Sequence, residues 1–198
     1  MRSVELAGHM VGDGSACFVT FEAGPTHNGL SSALQLIDHA ADSGAQAIKF
    51  QILDADRLVS AKSQLFDYSV LLSKETGETK SISEPLYDIL KRRELSYDDW
   101  KVVRDHACRR GLAFFATISY ESDLELLQSI QCDSVKIASA DVNHYPLLRL
   151  AARTGMCVQL DTGSAEIFEI QKAVQVLEDE GCHSIIIHQC PSGYPARL

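Results

Sequence analysis

The 198-residue sequence has no uninterrupted apolar stretch near the roughly 20 residues a membrane-spanning helix requires, and its start, Met1-Arg2-Ser3-Val4-Glu5, has no secretory apolar core. No membrane partner is expected, and a cytoplasmic location is. The six cysteines (Cys17, Cys108, Cys132, Cys157, Cys182, Cys190) form neither a C-x-x-C pair nor a cysteine–histidine cluster of zinc spacing. They read as small buried hydrophobes in a reducing compartment. Positive charge is scarce, with 18 Lys and Arg against 27 Asp and Glu for a net charge of −9, which argues against nucleic acid as the partner. An anionic ligand would have to be held by local cations working against the overall field. What remains, 45% apolar and 23% charged, is ordinary globular composition and does not indicate disorder.

Two short apolar runs each carry a lysine at their middle: Ala47-Ile48-Lys49-Phe50-Gln51 and Ser134-Val135-Lys136-Ile137-Ala138. Bounded runs of this length are the pattern of buried strands. Alternation places Ala47, Lys49 and Gln51 on one face, opposite Ile48 and Phe50, and Lys136 opposite Val135 and Ile137. An ammonium group in an apolar frame is costly unless an anion meets it. Either lysine alone is read equally well as a structural ion pair with a neighbouring carboxylate. The recurrence favours one shared anion site.

Along the chain, residues 1 to about 15 suggest a small hairpin able to plug one end of the main fold. Cys17 to Glu22 reads as a strand, followed by a Gly- and Pro-bearing loop, a helix capped at Ser31 or Ser32 and ended by Gly44, and the strand Ala47 to Gln51. Residues 53–97 form a long polar interruption, with a short helix from Glu84-Pro85 to Arg92, that either covers a site or makes an assembly contact. A helix capped at Ser96 runs to Gly111. Strands are then expected at Ala113 to Thr117, 134–138, Cys157 to Leu160 and Ser184 to Gln189, and helices at 121–130, 145–154 and 165–180. Trp100, Phe114, His183 and His188 read as packing residues.

Polar groups gather at the C-terminal end of every strand: Glu22, Gln51, Thr117, Ser139 with Asp141, Asp161 with Thr162, and Gln189 with Ser192. Such convergence fits an α/β fold of the (β/α)8 TIM barrel type, whose site is built from all the C-terminal loops. An open doubly wound sheet would call for a G-x-G-x-x-G turn after its first strand, which is lacking. Eight strands need about 250 residues, so the single catalytic-barrel domain over 1–198 is expected to be truncated after strand six, or completed by a second chain.

The segments Glu22-Ala23-Gly24-Pro25-Thr26-His27-Asn28-Gly29, Lys49-Phe50-Gln51, Phe115-Ala116-Thr117, Lys136-Ile137-Ala138-Ser139-Ala140-Asp141, Tyr145-Pro146-Leu147-Leu148, Asp161-Thr162-Gly163 and Cys190-Pro191-Ser192-Gly193-Tyr194-Pro195 follow one another as in the sialic acid synthase (N-acetylneuraminate synthase) family, which this chain resembles over essentially its whole length. The resemblance implies condensation of phosphoenolpyruvate with an N-acyl amino-sugar aldehyde to a nine-carbon 2-keto-3-deoxy acid, with release of phosphate. It assigns Lys49 and Lys136 to phosphoenolpyruvate and Glu22 to the reacting carbons. Thr117, Ser139 and Ser192 become donors to phosphate or carboxylate, and Gln51 an orienting group. Asp141, Tyr194, His27 and Asn28 line the sugar side. It also implies a divalent metal, manganese or magnesium, with ligands beyond residue 198 and none within the chain, and a homodimer. Pro25-Thr26, the shorter Asp141 and Ser192 depart from the usual family pattern where substrate would touch.

Three other readings remain open at this level. One is a deoxyheptulosonate or deoxyoctulosonate phosphate synthase, and one an aldolase forming a Schiff base at Lys49 or Lys136. The third is a non-catalytic truncated barrel. His27, read without the family, serves a turn hydrogen bond as well as a substrate contact.

Overall fold

The computed structural model describes residues 3–191. Strands β1 (Ser3–Leu6) and β2 (His9–Gly12) pair as the N-terminal hairpin. The main series follows as β3 (Thr20–Gly24), α1 (Leu30–Asp42) and β4 (Ala47–Gln51). Residues 53–97 hold α2 (Ala55–Leu58), an antiparallel ribbon of β5 (Leu65–Leu71) and β6 (Thr79–Pro85), and α3 (Leu86–Lys91). Then come α4 (Tyr97–Arg109), β7 (Ala113–Ile118), α5 (Glu121–Ser129), β8 (Ser134–Ile137), α6 (Tyr145–Arg153), β9 (Cys157–Asp161), α7 (Ile167–Asp179) and β10 (Ile185–His188).

β3, β4, β7, β8, β9 and β10 form one parallel six-stranded sheet whose spatial order follows chain order. No crossover skips a neighbour, so there is no point at which the winding reverses, and the sheet has the topology of a half-barrel rather than of a doubly wound fold. Closure by eight strands is not present among the described residues. No described helix is long and apolar enough to cross a membrane.

The two faces of the sheet have different chemistry. Ile48, Phe50, Phe114, Ala116, Ile118, Val135, Ile137, Val158 and Leu160 point towards the helices and form the main core with Ile37, Trp100, Val103, Leu148 and Leu177. On the other face Phe18 packs against Ala47, Ala113 and Phe115 at the N-terminal ends of the strands. The ring of His9 meets Phe18 there at 5.4 Å, so the N-terminal hairpin reaches the end of this face opposite the polar strand ends. Further along, Gln159 Nε2 donates to Ser134 Oγ at 2.7 Å, and its Oε1 lies 3.0 Å from His188 Nε2.

Local chemistry accounts for the boundaries. Ser96 and Asp99 cap α4 reciprocally. The first main strand lies two to three residues later than the expected Cys17 to Glu22, because it is set by pairing with β4. α1 begins at Leu30, since Gly29 (φ +102°) takes the cap position that side chains avoid. Ser32 Oγ instead accepts the Asn28 N–H at 3.1 Å. The β5–β6 ribbon has no counterpart in the sequence reading: its residues are mostly exposed, so no buried face imposes an alternating pattern. His183, expected in the packing, is exposed.

Candidate active site

β3 ends in an irregularity. The register with β4 shifts between Glu22 and Gly24, and Ala23 turns into the core. This bulge leaves Glu22 on the concave face opposite its register partner Lys49. Gly24 adopts φ +48°, and a Cβ there would stand 3.4 Å from Glu22 Oε1. The chain then turns through Thr26, whose N–H and Oγ1 both donate to Ala23 O.

Lys49 is 2% exposed. Its ammonium lies 3.1 Å from Glu22 Oε1 and 3.0 Å from Oε2. Burial pushes its pKa down, Glu22 pulls it back up, and the nearby Lys136 lowers it further. Lys136 Nζ sits 2.7 Å from Asp161 Oδ2 and 3.9 Å from Glu22 Oε2. The two ammonium groups thus converge on one carboxylate, each from its own strand. Around them Glu22, Ala23, Gly24, Pro25, Thr26, Gln51, Thr117, Ala138 and Asp161 line a cavity of about 260 Å³ at the C-terminal ends of the strands. Two of its buried polar atoms, Thr117 Oγ1 and Asp161 Oδ1, have no hydrogen-bond partner among the described residues.

The structure therefore brings together Glu22, Lys49, Gln51, Thr117 and Lys136 as expected, and adds Asp161. Asp161 was visible in sequence as one of several polar strand ends and within the Asp161-Thr162-Gly163 segment, but with no role assigned to it. Its bridge to Lys136 depends on the pairing of β8 with β9. Ser139 lies one step away, where its Oγ accepts the Gly163 N–H at 2.9 Å. It lines an adjacent cavity of about 380 Å³ with Ala140, Asn143, Gly163 and Glu169. A Cβ on Gly163 would stand 3.1 Å from Ser139 Oγ and 3.3 Å from Cys190 O, so a side chain there would have to displace these neighbours by a few tenths of an ångström. Asp141 lines neither cavity; burial raises its pKa and His144 lowers it. Asn28 is exposed and lines neither. Ser192 and Tyr194 lie outside the described residues.

His27 is the clear correction. It is fully buried on the helix side, its ring 5.8 Å from Phe50 and 6.4 Å from Trp100, so it faces away from the lysine cavity. It makes no turn hydrogen bond either, since both ring nitrogens are buried without a partner among the described residues. Burial first, and Arg93 second, push its pKa below 6.5. The folded state therefore prefers the neutral ring. The stability this gives is complete above about pH 6.5 and is lost as pH falls through the lower folded value. His27→Leu should flatten that acid limb of a thermal-melting series and raise stability at pH 5, because an unsatisfied polar group costs about 1–3 kcal/mol. An unchanged limb would show that the ring is not protonated on unfolding.

Among the described residues, no group of three or more His, Cys, Asp and Glu side chains is placed to hold a metal ion.

The family model described as "NeuB family" matches residues 36–198. The chain is 32% identical over 197 residues to the spore coat polysaccharide biosynthesis protein SpsE of Bacillus subtilis, covering 99% of this chain and 50% of that protein. It is 30% identical over 190 residues to the N,N'-diacetyllegionaminic acid synthase of Legionella pneumophila, covering 93% and 51%. The crystal structure of the N-acetylneuraminic acid synthetase of Leptospira borgpetersenii superposes with a TM-score of 0.82 at 27% identity, over 99% of this chain and 61% of that one. The chain thus spans about half the length of the curated relatives it matches.

Proposed function

Because the chain belongs to the NeuB family, we propose that the protein is a nonulosonate synthase. It joins phosphoenolpyruvate to the open-chain aldehyde of an N-acyl amino sugar resembling N-acetylmannosamine, as a cytoplasmic homodimer. One observation carries this reading: two ammonium groups from separate strands meet over a single carboxylate in one cavity. Charge-assisted hydrogen bonds to a carboxylate and a phosphate are the strong kind. Lys49 and Lys136 take these two anionic groups, Thr117 Oγ1 donates to one of them, and Gln51 orients the enol. Ser139 and Ser192 remain candidate donors to its phosphate or carboxylate, and Asp141, Asn28 and Tyr194 remain candidates for the sugar side.

Carbon 3 of the enol attacks the aldehyde carbon, and the aldehyde oxygen takes up a proton. Carbon 2, left electron-poor, is captured by water. Glu22, half-exposed beside both cations, positions that water and takes its proton. Phosphate then leaves with cleavage of the carbon–oxygen bond. A manganese or magnesium ion, as the resemblance implies, would be held by ligands other than the residues described, and no step here runs through it.

Incubating the intact protein with phosphoenolpyruvate, manganese and a panel of N-acyl amino sugars should release one phosphate for each aldehyde consumed. No turnover across the panel would refute the reading. The lowered pKa of Lys49 favours a second one, a Schiff base with a keto acid. Borohydride with pyruvate would label Lys49 in that case. The synthase reading expects no label, since both Glu22 oxygens hold the ammonium.

A further inference from the structure

The cavity contains an anion that a site built only for anions would omit. Asp161 Oδ2 takes Lys136 at 2.7 Å. With Glu22 on Lys49, the two ammonium groups are formally balanced by two carboxylates before any ligand arrives. The other oxygen, Oδ1, is buried and without a hydrogen-bond partner among the described residues, as is Thr117 Oγ1 in the same cavity. The Cys190 thiol also faces Asp161, a contact that helps raise the thiol's pKa, but it is a weak donor and its geometric hydrogen bond goes to His188 O at 3.8 Å. A hydroxyl can donate or accept, so Thr117 suits any oxygen. A carboxylate oxygen can only accept. A fully ionised phosphate or carboxylate offers it nothing but lone pairs, and burial makes that contact repulsive.

We propose that Asp161 makes ligand binding proton-linked: the pocket takes its phosphorylated ligand together with one proton from solvent, held between Asp161 Oδ1 and a ligand oxygen. The identity of the ligand rests on the reading above. The proton resolves the geometry in one step. It gives the unpartnered oxygen a hydrogen bond, removes one negative charge from the pocket, and leaves Lys136 to share its charge with the ligand. Asp161 thereby determines specificity, selecting ligands that can carry or accept that proton.

The groups facing Asp161 restrict where the linkage is seen. From β8 comes Lys136, from β4 Lys49, from β3 Glu22 across Lys136, from β10 His188, and after it Cys190. Burial first holds His188 below 6.5, although Asp161 raises it, and burial holds the Cys190 thiol above 9.0. Both shifts favour the uncharged form of these groups between pH 7 and 8.5. Lys49, pushed down by burial, is the other group to control for, and an Asp161 variant retains it. A phosphate monoester has lost its second proton above about pH 6, so binding one proton more must weaken affinity as pH rises.

The test is calorimetric titration of phosphoenolpyruvate into the intact protein, without the second substrate, in buffers of different ionisation enthalpy. Wild type should take up about one proton per ligand at pH 8, and its Kd should rise about 30-fold from pH 7 to 8.5, tenfold per unit. In Asp161→Asn an amide nitrogen can supply the donor at every pH. Proton uptake should vanish there, Kd should vary less than about threefold over the same range, and affinity at pH 8.5 should exceed that of wild type. Asp161→Ser, with melting curves for both variants, checks that neither has lost its fold. Equal proton uptake by wild type and folded Asp161→Asn, or a uniform loss of affinity at all pH values, would overturn the proposal and leave the synthase reading intact. Absence of any phosphoenolpyruvate binding to wild type would overturn both.

Discussion

Replacing Lys49 by methionine should abolish turnover while leaving the fold in place. The side chain is 2% exposed and its ammonium meets both oxygens of Glu22. Methionine fills the space of the aliphatic stem without the charge. Truncating one side of a buried, hydrogen-bonded charge contact with a ligand costs about 2–5 kcal/mol. Here a multiply charged enol phosphate would lose one of two cations, so the loss belongs towards the upper end, about 10³-fold in kcat/KM at 1.4 kcal/mol per tenfold. The fold tolerates the change because the carboxylate left behind is not stranded: Glu22 has a side chain 54% exposed and keeps Lys136 at 3.9 Å. Lys49→Arg is not expected to rescue, since a planar fork does not fit where a point charge does. Phosphate release within tenfold of wild type, from a Lys49→Met protein with an unaltered melting curve, would remove this lysine from the site.

The neighbouring residue should behave in the opposite way. Phe50 points to the other face of β4, is fully buried, and lies 6.0 Å from both Trp100 and Phe114 and 5.8 Å from His27. Phe50→Ala removes the ring that joins those three side chains, at a cost of about 3–5 kcal/mol in transfer and cavity energy. In a protein of this size each kcal/mol lowers Tm by about 2–4 °C. Urea unfolding followed through the fluorescence of the chain's one tryptophan, Trp100, measures the loss. Ligand affinity well below the transition should stay near that of wild type, because the cavity is lined from the other face. A loss of less than about 1 kcal/mol would mean that the aromatic cluster has collapsed around the gap. The pair tests the central feature of the fold directly, since two residues adjacent in sequence answer to catalysis and to stability separately.

The same alternation explains what was legible in the chain. A buried parallel strand must cover one face with branched and aromatic side chains, so a lysine in register on the other face is visible as a break in pattern, and β4 was bounded from sequence at Ala47 and Gln51 as observed. Gly111, Gly155 and Gly181 at φ +76°, +76° and +87° ended their helices where the sequence placed them. Exposed elements leave no such trace, which is why the β5–β6 ribbon went unread.

By itself the sequence determined the alternation of strands and helices and the two lysines that share a face, because burial on a sheet enforces a period of two. Only the tertiary structure decided which carboxylates those lysines meet. Asp161 joins Lys136, and Glu22 joins Lys49, through strand pairing between residues 25 and 27 positions apart, a distance over which sequence pattern carries no information about contact. It also decided that His27 belongs to the aromatic core. A loop histidine looks the same in sequence whichever side of the sheet it falls on, and the bulge at the end of β3, with the turn through Thr26 that follows, sends this one to the helix side.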